Sequence, residues 1–492
     1  MRVVIVGAGF GGLSAACHLT GRGHDVVVVE REEVPGGRAG LVEEAGYRLD
    51  PGPTVLTMVG LLEETFRAAG ADLADHLRLR AVDPMYRACF PDGSVLHVRH
   101  GRDAMAAEID AFAGPREAAA FHRFCGWLQE LYDLELPHFI ARNYDSPLDL
   151  VRDPAALFRL VRLGALRKLA PTVESYFSDP RLQRIFSFQA MYAGLSPFEA
   201  LAIYCVITYM DTVEGVFFPD GGIHEVGRGL MQAAEKAGAS FTFGQPVERI
   251  TRNADGSVRG VKLAAGDHVD ADAVVCNVDL PVAYRQLLGL EPPFVSRRGR
   301  YSPSCVVWLA GVRGALPPDA AHHNIHFGTT WREAFDAVLR DGRRMPDPSI
   351  LVTCAAASDP SLAPAGGTTL FALEPAPNLD GHVDWAKERS HLRDELAGRV
   401  GSLGYPVDDV VVERLIDPRD WEARGLERGT PFALAHRFFQ TGPFRPANTD
   451  RRIPGLVFSG INTMPGIGIP MVLISGRLAA DRVDEWARRR TG

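Results

Sequence analysis

A glycine loop next to the first predicted strand constrains the fold of this chain more than any other feature. The apolar run Arg2–Val6 predicts a buried strand, and Gly7, Gly9 and Gly12 follow it in the spacing Gly-x-Gly-x-x-Gly. Small residues are required there because the first permits the turn, the second lets a pyrophosphate approach the backbone, and the third lets helix and strand pack closely. A predicted helix over residues 13–20 and a second strand complete a βαβ unit, so we expect a dinucleotide to bind here.

Glu30 stands at the end of that second strand, Asp25–Val29. A carboxylate at this place accepts hydrogen bonds from ribose hydroxyl groups and disfavours a phosphorylated ribose, so the site favours FAD or NAD over NADP. Gly36, Gly37 and Arg38 form a second glycine loop directly afterwards. An arginine in this loop can reach phosphate groups, which is more typical of FAD than of NAD. Taken alone, each loop would be an ordinary turn of an α/β domain.

Charge and cysteine usage exclude several functional classes. The chain of 492 residues has 53 Lys and Arg against 61 Asp and Glu, a net charge of −8. A nucleic-acid binder needs clustered positive charge, so no nucleic-acid partner is expected. The 7 cysteines are scattered and none forms Cys-x-x-Cys, so we expect neither a disulfide framework nor a metal site, and a reducing cytoplasmic location. An apolar strand begins at residue 2, so no secretory leader is expected.

One uncharged run is long enough to raise the question of a membrane span. Residues 453–476 form a stretch of 24 residues without a charge, and a helix of that length crosses a bilayer. Glycines and prolines interrupt the run, with Pro465 and Pro470 near its middle, and irregular backbone exposed to lipid is too unfavourable. We therefore predict a strand, a cofactor-facing loop and a helix in whose first turn Pro470 lies, and no transmembrane helix.

Further motifs occur in the order of one known family. They are Gly36-Gly-Arg-Ala-Gly40, Asp50-Pro-Gly-Pro-Thr54, Gly194-Leu-Ser-Pro-Phe198 and Glu214-Gly-Val-Phe-Phe-Pro-Asp-Gly-Gly222. Over nearly its whole length the chain resembles the bacterial phytoene desaturases and related carotenoid desaturases, which are flavoproteins of the amine-oxidase type. The resemblance implies an FAD-dependent enzyme that desaturates a linear C40-type polyene, with the hydride going to the flavin and a proton leaving the adjacent carbon.

The resemblance also implies the cofactor contacts and the partners. The residues expected to hold FAD are Gly7, Gly9, Phe10, Gly12, Glu30, Arg31, Gly37, Arg38, Pro53, Thr54, Val247, Gly460, Ile461, Gly468, Ile469, Pro470 and Met471. The expected partners are a lipophilic polyene substrate, a quinone or oxygen as electron acceptor, and the inner face of the cell membrane, where the protein is expected to be peripherally bound.

Two residues depart from the pattern of the relatives. Met464 stands where many of them have His, and Met471 stands where Gly is usual. A bulky thioether beside the flavin could change how the substrate is positioned. Polyene isomerisation, saturation and dehydrogenation of a modified carotenoid are therefore alternatives on the same scaffold. A flavin-free prenyl-binding chaperone and an amine oxidase are alternatives of a different kind.

Asp149 and Arg152 resemble an acid–arginine pair near the substrate tunnel of the relatives, which implies a catalytic role. The arginine would tune the pKa of the carboxylate for proton transfer, whereas a surface ion pair at the start of a helix is the alternative. The following residues, 154–168, combine Arg159 and Arg162 with many apolar side chains. Such a basic, apolar helix predicts contact with an anionic membrane surface, and a core helix with snorkelling arginines is the alternative.

Three separated parts of the chain contribute to the predicted dinucleotide domain. Besides the N-terminal unit, residues 241–250 and 268–275 predict strands, and a final strand, loop and helix follow residue 454. The fold class is therefore α/β: a Rossmann-like FAD-binding domain assembled from discontinuous segments, and a mixed sheet-and-helix substrate domain with a helical, membrane-facing part. The expected boundaries are 1–80, 223–282 and 441–492 for the first domain, 81–103 and 283–440 for the second, and 104–222 for the helical part.

Overall fold

The computed structural model describes residues 1–491. The strands are β1 (Arg2–Val6), β2 (Asp25–Val29), β3 (Val42–Glu44), β4 (Tyr47–Leu49), β5 (Leu79–Ala81), β6 (Tyr86–Cys89), β7 (Val95–Val98), β8 (Phe217–Pro219), β9 (Ser240–Thr242), β10 (Val247–Arg252), β11 (Val258–Leu263), β12 (His268–Asp270), β13 (Ala273–Cys276), β14 (Ser304–Arg313), β15 (His323–His326), β16 (Ile350–Thr353), β17 (Gly367–Ala376), β18 (Asp409–Ile416) and β19 (Leu456–Phe458).

The helices lie between these strands and at the C-terminal end of the described chain. They are α1 (Phe10–Gly21), α2 (Val59–Ala68), α3 (Arg102–Ala113), α4 (Pro115–Glu135), α5 (Pro154–Arg162), α6 (Leu169–Tyr176), α7 (Pro180–Ile185), α8 (Cys205–Thr208), α9 (His224–Lys236), α10 (Leu280–Val282), α11 (Phe294–Arg298), α12 (Arg332–Leu339), α13 (Trp385–Ser402), α14 (Pro418–Ala423) and α15 (Ile469–Thr491). Within residues 1–491, no helix is both long enough and apolar enough to cross a bilayer.

A parallel sheet of five strands forms the first half of the molecule, in the order β19-β13-β1-β2-β9. Its strands are apolar on both faces, as in other parallel sheets covered on both sides. One face packs against α1, α9 and α15, and the other packs against the antiparallel sheet β10-β11-β12 and residues 280–288. The predicted α/β class with a Rossmann-like sheet built from discontinuous segments is confirmed.

Two strand predictions were wrong in extent. Residues 241–250 form two strands in different sheets, because β9 ends at Thr242 and β10 begins at Val247. Gly244 has a φ of +64° and Pro246 has no N–H group, so the chain turns between them. Residues 268–275 are divided in the same way between β12 and β13. Each break is short, four residues at 243–246 and two at 271–272, so the apolar residues on either side look like one strand.

A mixed sheet of seven strands forms the second half, in the order β18-β14-β17-β16-β15-β6-β7. Helix α13 covers its outer face through a cluster of buried apolar residues that includes Trp308, Leu392 and Leu396. The inner face looks toward the helices between α3 and α8 and toward the parallel sheet. The space between these layers forms the cavity described below.

The first and last helices of the fold are in close contact. A Cβ atom on Gly476 of α15 would lie 2.5 Å from the carbonyl oxygen of Gly11 and 2.6 Å from the Cβ of Ser14. The Ser14 hydroxyl group also donates a hydrogen bond of 2.7 Å to the carbonyl oxygen of Leu473. Only glycine at residue 476 allows this approach, so the packing of α15 on α1 depends on it.

We expect Gly476→Ala to lower the free energy of unfolding by roughly 1–3 kcal/mol, because the added methyl group would overlap backbone atoms of α1. The matched control is Gly398→Ala in α13, where a Cβ meets no atom within 4 Å. That exposed helical change should raise stability by about 0.5–1 kcal/mol. Denaturant unfolding of both full-length variants measures the difference, and equal stability of Gly476→Ala and the unmodified protein would contradict the packing described.

Candidate active site

The glycine loop that follows β1 has the shape that a pyrophosphate requires. Gly7 has a φ of +98°, which only glycine adopts without strain, and a Cβ atom on Gly12 would lie 2.1 Å from the carbonyl oxygen of Gly7. Helix α1 begins at Phe10, with Gly9 before it in extended conformation. The first N–H groups of the helix therefore have no partner within the helix, and together with the helix dipole they attract an anion.

Glu30 is held in a fixed orientation at the end of β2. Its carboxylate is buried and accepts hydrogen bonds from the backbone N–H groups of Ala8, at 2.5 Å, and Glu32, at 2.9 Å. The first bond ties Glu30 to the glycine loop itself. The acid predicted to bind ribose hydroxyl groups thus lies beside the loop predicted to bind the pyrophosphate.

Asn277 completes the loop and was missed by the sequence analysis. It follows β13 directly, its side-chain N–H donates to the carbonyl oxygen of Gly7 at 3.5 Å, and its Oδ1 accepts from the Ser459 hydroxyl group at 3.1 Å. A Cβ atom on Gly9 would lie 2.9 Å from the Asn277 amide nitrogen. The available signal was a polar residue directly after a buried strand of the central sheet, at the edge where ligands bind.

A cluster of polar side chains, Asp279 and Asn462, lies next to Arg38. Its guanidinium is 3.9 Å from the carboxylate of Asp279, which also accepts a hydrogen bond of 2.8 Å from the Asn462 side chain. Burial raises the pKa of Asp279 to about 6, and burial lowers the pKa of Arg38. The buried atoms Arg38 Nε, Asp279 Oδ1 and Asn462 Oδ1 have no hydrogen-bond partner within the protein.

These unpartnered atoms and the glycine cradle fit an extended dinucleotide. Buried polar atoms without partners are unfavourable, so a polar ligand that satisfies them stabilises the site. The pyrophosphate and the hydroxyl groups of FAD carry donors and acceptors of the required kinds. The residues present here therefore fit FAD.

Arg445 holds the C-terminal glycine-rich loop in place. Its buried guanidinium donates hydrogen bonds to the carbonyl oxygens of Ile461, at 2.6 Å, and Thr463, at 3.1 Å, within that loop, and to those of Leu434 and Gln440 in the neighbouring segment. Burial lowers the pKa of Arg445 to about 10, so it stays charged at neutral pH. The loop then passes into α15, which begins at Ile469.

One cavity of about 1250 Å³ contains these features and extends into an apolar region. Of the residues expected to hold FAD, those that line it are Gly7, Gly9, Phe10, Glu30, Arg31, Gly37, Arg38, Pro53, Thr54, Val247, Gly460, Ile461, Gly468, Ile469, Pro470 and Met471. Gly12 lies behind the loop instead. The apolar region is lined by residues such as Phe139, Leu157, Ile207, Phe327, Leu351 and Leu373.

Asp149 and Arg152 form an ion pair of 2.9 Å outside the set of described residues that line this cavity. The Asp149 carboxylate accepts hydrogen bonds from the N–H groups of Asp145, at 2.7 Å, and Ser146, at 3.1 Å, and so closes a helical turn. These bonds and the nearby Arg152 lower the pKa of Asp149. This is the geometry of an ion pair at the start of a helix, and the catalytic role of the pair stays a prediction.

Comparison with known proteins gives consistent matches. A family model described as flavin containing amine oxidoreductase matches residues 10–484. Phytoene dehydrogenase of Streptomyces griseus is 47% identical over 98% of this chain and 94% of its own length. The zeta-carotene-forming phytoene desaturase of Myxococcus xanthus is 38% identical over 99% of this chain and 94% of its own length. A solved oxidoreductase of Methanosarcina mazei has the same fold, with a TM-score of 0.62, 16% identity, and coverage of 97% of this chain and 99% of that one.

We expect Gly12→Ala to remove most of the bound flavin, because the new Cβ would displace the Gly7 carbonyl group and reshape the loop that holds the pyrophosphate. The matched control is Gly60→Ala in α2, where a Cβ meets no atom within 4 Å. The measurement is the ratio of flavin absorbance to protein in purified samples. A Gly12→Ala protein with the flavin content of the control would show that this loop does not bind the cofactor.

Proposed function

Because the chain belongs to the flavin-containing amine oxidoreductase family and is an FAD-dependent carotenoid desaturase, we propose that it desaturates a linear C40-type polyene such as phytoene. The observation that carries the proposal is the continuity of the cavity. Its polar region fits FAD, and its apolar region fits a hydrocarbon that offers no hydrogen-bonding groups. An amine substrate would instead leave its charge in apolar surroundings, which is unfavourable.

In this proposal the protein binds and orients the reactants and keeps water away from them. FAD, when bound, supplies the two-electron acceptor that takes a hydride from the polyene. Glu30 would hold the ribose, the N-terminus of α1 would hold the pyrophosphate, and Arg38 and Asp279 would contact the polar part of the cofactor between the pyrophosphate and the flavin ring. The N-terminus of α15 lies at the other end of the cofactor region, where its partial positive charge stabilises negative charge that develops on reduction. The apolar walls exclude water from the reacting carbons.

We further propose that the protein docks on the inner face of the cell membrane through a surface termed the apolar rim. The rim consists of exposed apolar side chains at Leu148, Val151, Phe158, Val161, Leu166, Phe438 and Phe439. Leu148 is 75% exposed, Phe158 is 68% exposed and Phe439 is 72% exposed, and such a contiguous group is unusual on a surface that faces only water.

The apolar rim surrounds one end of the cavity. The turn Pro147–Arg152 packs against the turn Gly442–Phe444, so the two parts of the rim are neighbours. Leu150 and Leu157, which alternate with rim residues along the chain, line the cavity. Arg159 and Arg162 are exposed on α5 beside the rim, where they can meet anionic lipid headgroups. A lipophilic substrate would then pass from the bilayer into the cavity without crossing water.

The function is tested by incubating the purified flavoprotein with phytoene-bearing liposomes and a quinone, or with oxygen alone. The expected result is a product that has lost two hydrogens for each step, together with reduction of the flavin when no acceptor is present. A product of unchanged mass would indicate isomerisation, and a gain of two hydrogens would indicate saturation. Unchanged phytoene with an oxidised flavin, under both acceptors, would contradict the proposed function.

Membrane docking is tested by Phe158→Glu, which adds a carboxylate to the apolar rim. We expect binding to anionic liposomes to weaken roughly tenfold or more, because a buried phenyl ring contributes about 1.5–3 kcal/mol and a charge would replace it. The control is Ala386→Glu, which adds the same charge at an exposed position of α13. Flotation of both variants with vesicles measures the difference. Equal binding of the two variants would show that the membrane contacts another surface.

A further inference from the structure

Desaturation requires an acceptor for the proton that leaves the substrate. The structure assigns this role to Asp211, an inference that rests on the proposed function. The carboxylate lies in the cavity wall between the helices and the seven-stranded sheet. We propose that it takes the proton from the carbon next to the one that loses a hydride. The residue belongs to a turn, Tyr209–Val213, that continues α8, and it lines the cavity with Met210 and Ile207.

The environment of Asp211 leaves one carboxylate oxygen available. The side chain is only 2% exposed. Its Oδ2 accepts a hydrogen bond of 3.1 Å from the hydroxyl group of Tyr86, and its Oδ1 has no hydrogen-bond partner in the protein. One oxygen of the carboxylate is thus oriented by a donor and the other has no partner. The second oxygen is the free acceptor that a general base needs.

Tyr86 is itself fixed in place by strand β6 and by ring contacts. Its ring centroid is 5.6 Å from that of His323 and 6.1 Å from that of Phe188, which also lines the cavity. The Tyr86 hydroxyl group can donate to Asp211 in either protonation state, but the bond is stronger when the carboxylate is ionised. Tyr86 is therefore a positioning residue that favours the base form of Asp211.

The titratable groups around Asp211 and its partner Tyr86 do not change charge near neutral pH. Burial raises the pKa of Tyr86 and of Tyr192, and burial lowers the pKa of His323 well below its usual value. Burial also raises the pKa of Asp211 to about 7, and the hydrogen bond from Tyr86 opposes that rise. The nearby Gln189 amide nitrogen donates to the carbonyl oxygen of Ile185, which leaves Oδ1 of Asp211 without a donor. Within this cluster, the carboxylate of Asp211 is the group whose charge changes between pH 6 and pH 8.

The carboxyl groups of Glu135, the last residue of α4, and of Asp149 fit the role less well. Glu135 also lines the cavity, and its Oε1 has no partner, but burial raises its pKa well above the usual value with no opposing interaction. Burial therefore favours the protonated form of Glu135, which is a poorer proton acceptor. Asp149 is ionised but lies outside the cavity wall, and its oxygens are bound to Asp145, Ser146 and Arg152.

The step balances in atoms and electrons. One carbon–hydrogen bond of the polyene breaks, and the hydrogen leaves with the electron pair as a hydride. This hydride goes to oxidised FAD, the cofactor of the family. The neighbouring carbon–hydrogen bond breaks and leaves its electron pair between the two carbons as the new double bond. Its proton forms a bond with the carboxylate of Asp211, and the carboxylic acid loses that proton to water before the next cycle.

The test measures the rate of flavin reduction by phytoene in anaerobic single-turnover experiments with membrane-bound holoenzyme. We expect Asp211→Asn to lower this rate by roughly 10²-fold or more, with unchanged flavin content and vesicle binding. The rate of the unmodified enzyme should rise with pH through about 7, as Asp211 ionises, and the variant should lose this dependence. Tyr86→Phe should retain the dependence but shift it to higher pH, because the ionised carboxylate loses a donor.

The control is Asp110→Asn, at an exposed position of α3, which should leave the rate and its pH dependence unchanged. If the unmodified enzyme itself shows no reduction by phytoene, the proposed function fails. If it is reduced but Asp211→Asn is reduced equally fast with the same pH profile, the inference about Asp211 fails alone. A selective loss of rate in Glu135→Gln or Asp149→Asn, with Asp211→Asn unaffected, would also overturn it.

Discussion

The contact between the first and the last helix of the fold is the constraint on which the rest of the site depends. Gly476 of α15 lets the two backbones approach closely, because a Cβ atom there would lie 2.5 Å from the carbonyl oxygen of Gly11 in α1. As a result Phe10, in the first turn of α1, and Ile469, in the first turn of α15, line the same cavity. Both helix N-termini carry partial positive charge, so one close packing contact places two anion-stabilising ends around one cofactor.

The cavity divides the chemistry by polarity. At one end, Arg38, Asp279 and Asn462 leave polar atoms that only a polar ligand satisfies, and Glu30 is already oriented by backbone donors. At the other end the walls are apolar, and the few titratable groups are buried among them. In such low-dielectric surroundings a single ionised carboxylate has a strong local effect, since the apolar walls offer few dipoles that oppose its field. The arrangement suits a reaction in which an apolar substrate gives up both a hydride and a proton.

Local pattern was sufficient to predict the elements that bind the dinucleotide, but not the groups that complete the site. The strand, glycine loop, helix and acid at Glu30 follow each other within 30 residues, so their geometry is encoded locally. Asn277, Arg445 and Asp211 come from distant segments. Asn277 carries one local signal, its place directly after β13, whereas nothing in the immediate sequence of Arg445 or Asp211 distinguishes them from other polar residues. Asp149 shows the opposite case, because a spacing that suits a catalytic pair also suits a carboxylate that closes a helical turn. Such ambiguity is resolved only by knowing which residues surround the cavity.

The order of strands in the parallel sheet has a consequence for the synthesis of the protein. Strand β13 lies between β1, from the beginning of the chain, and β19. The end of β13 at residue 276 and the start of β19 at residue 456 are 180 positions apart. Pairings between such distant segments form slowly, because a long loop must close before any contact is gained. The sheet edge at β13 stays unpaired, and the cofactor loop lacks Arg445 and α15, until nearly the whole chain has left the ribosome. We therefore expect the complete FAD site to form only after residues 456–476 have been made, and a chain interrupted before residue 456 to expose apolar strands that favour aggregation.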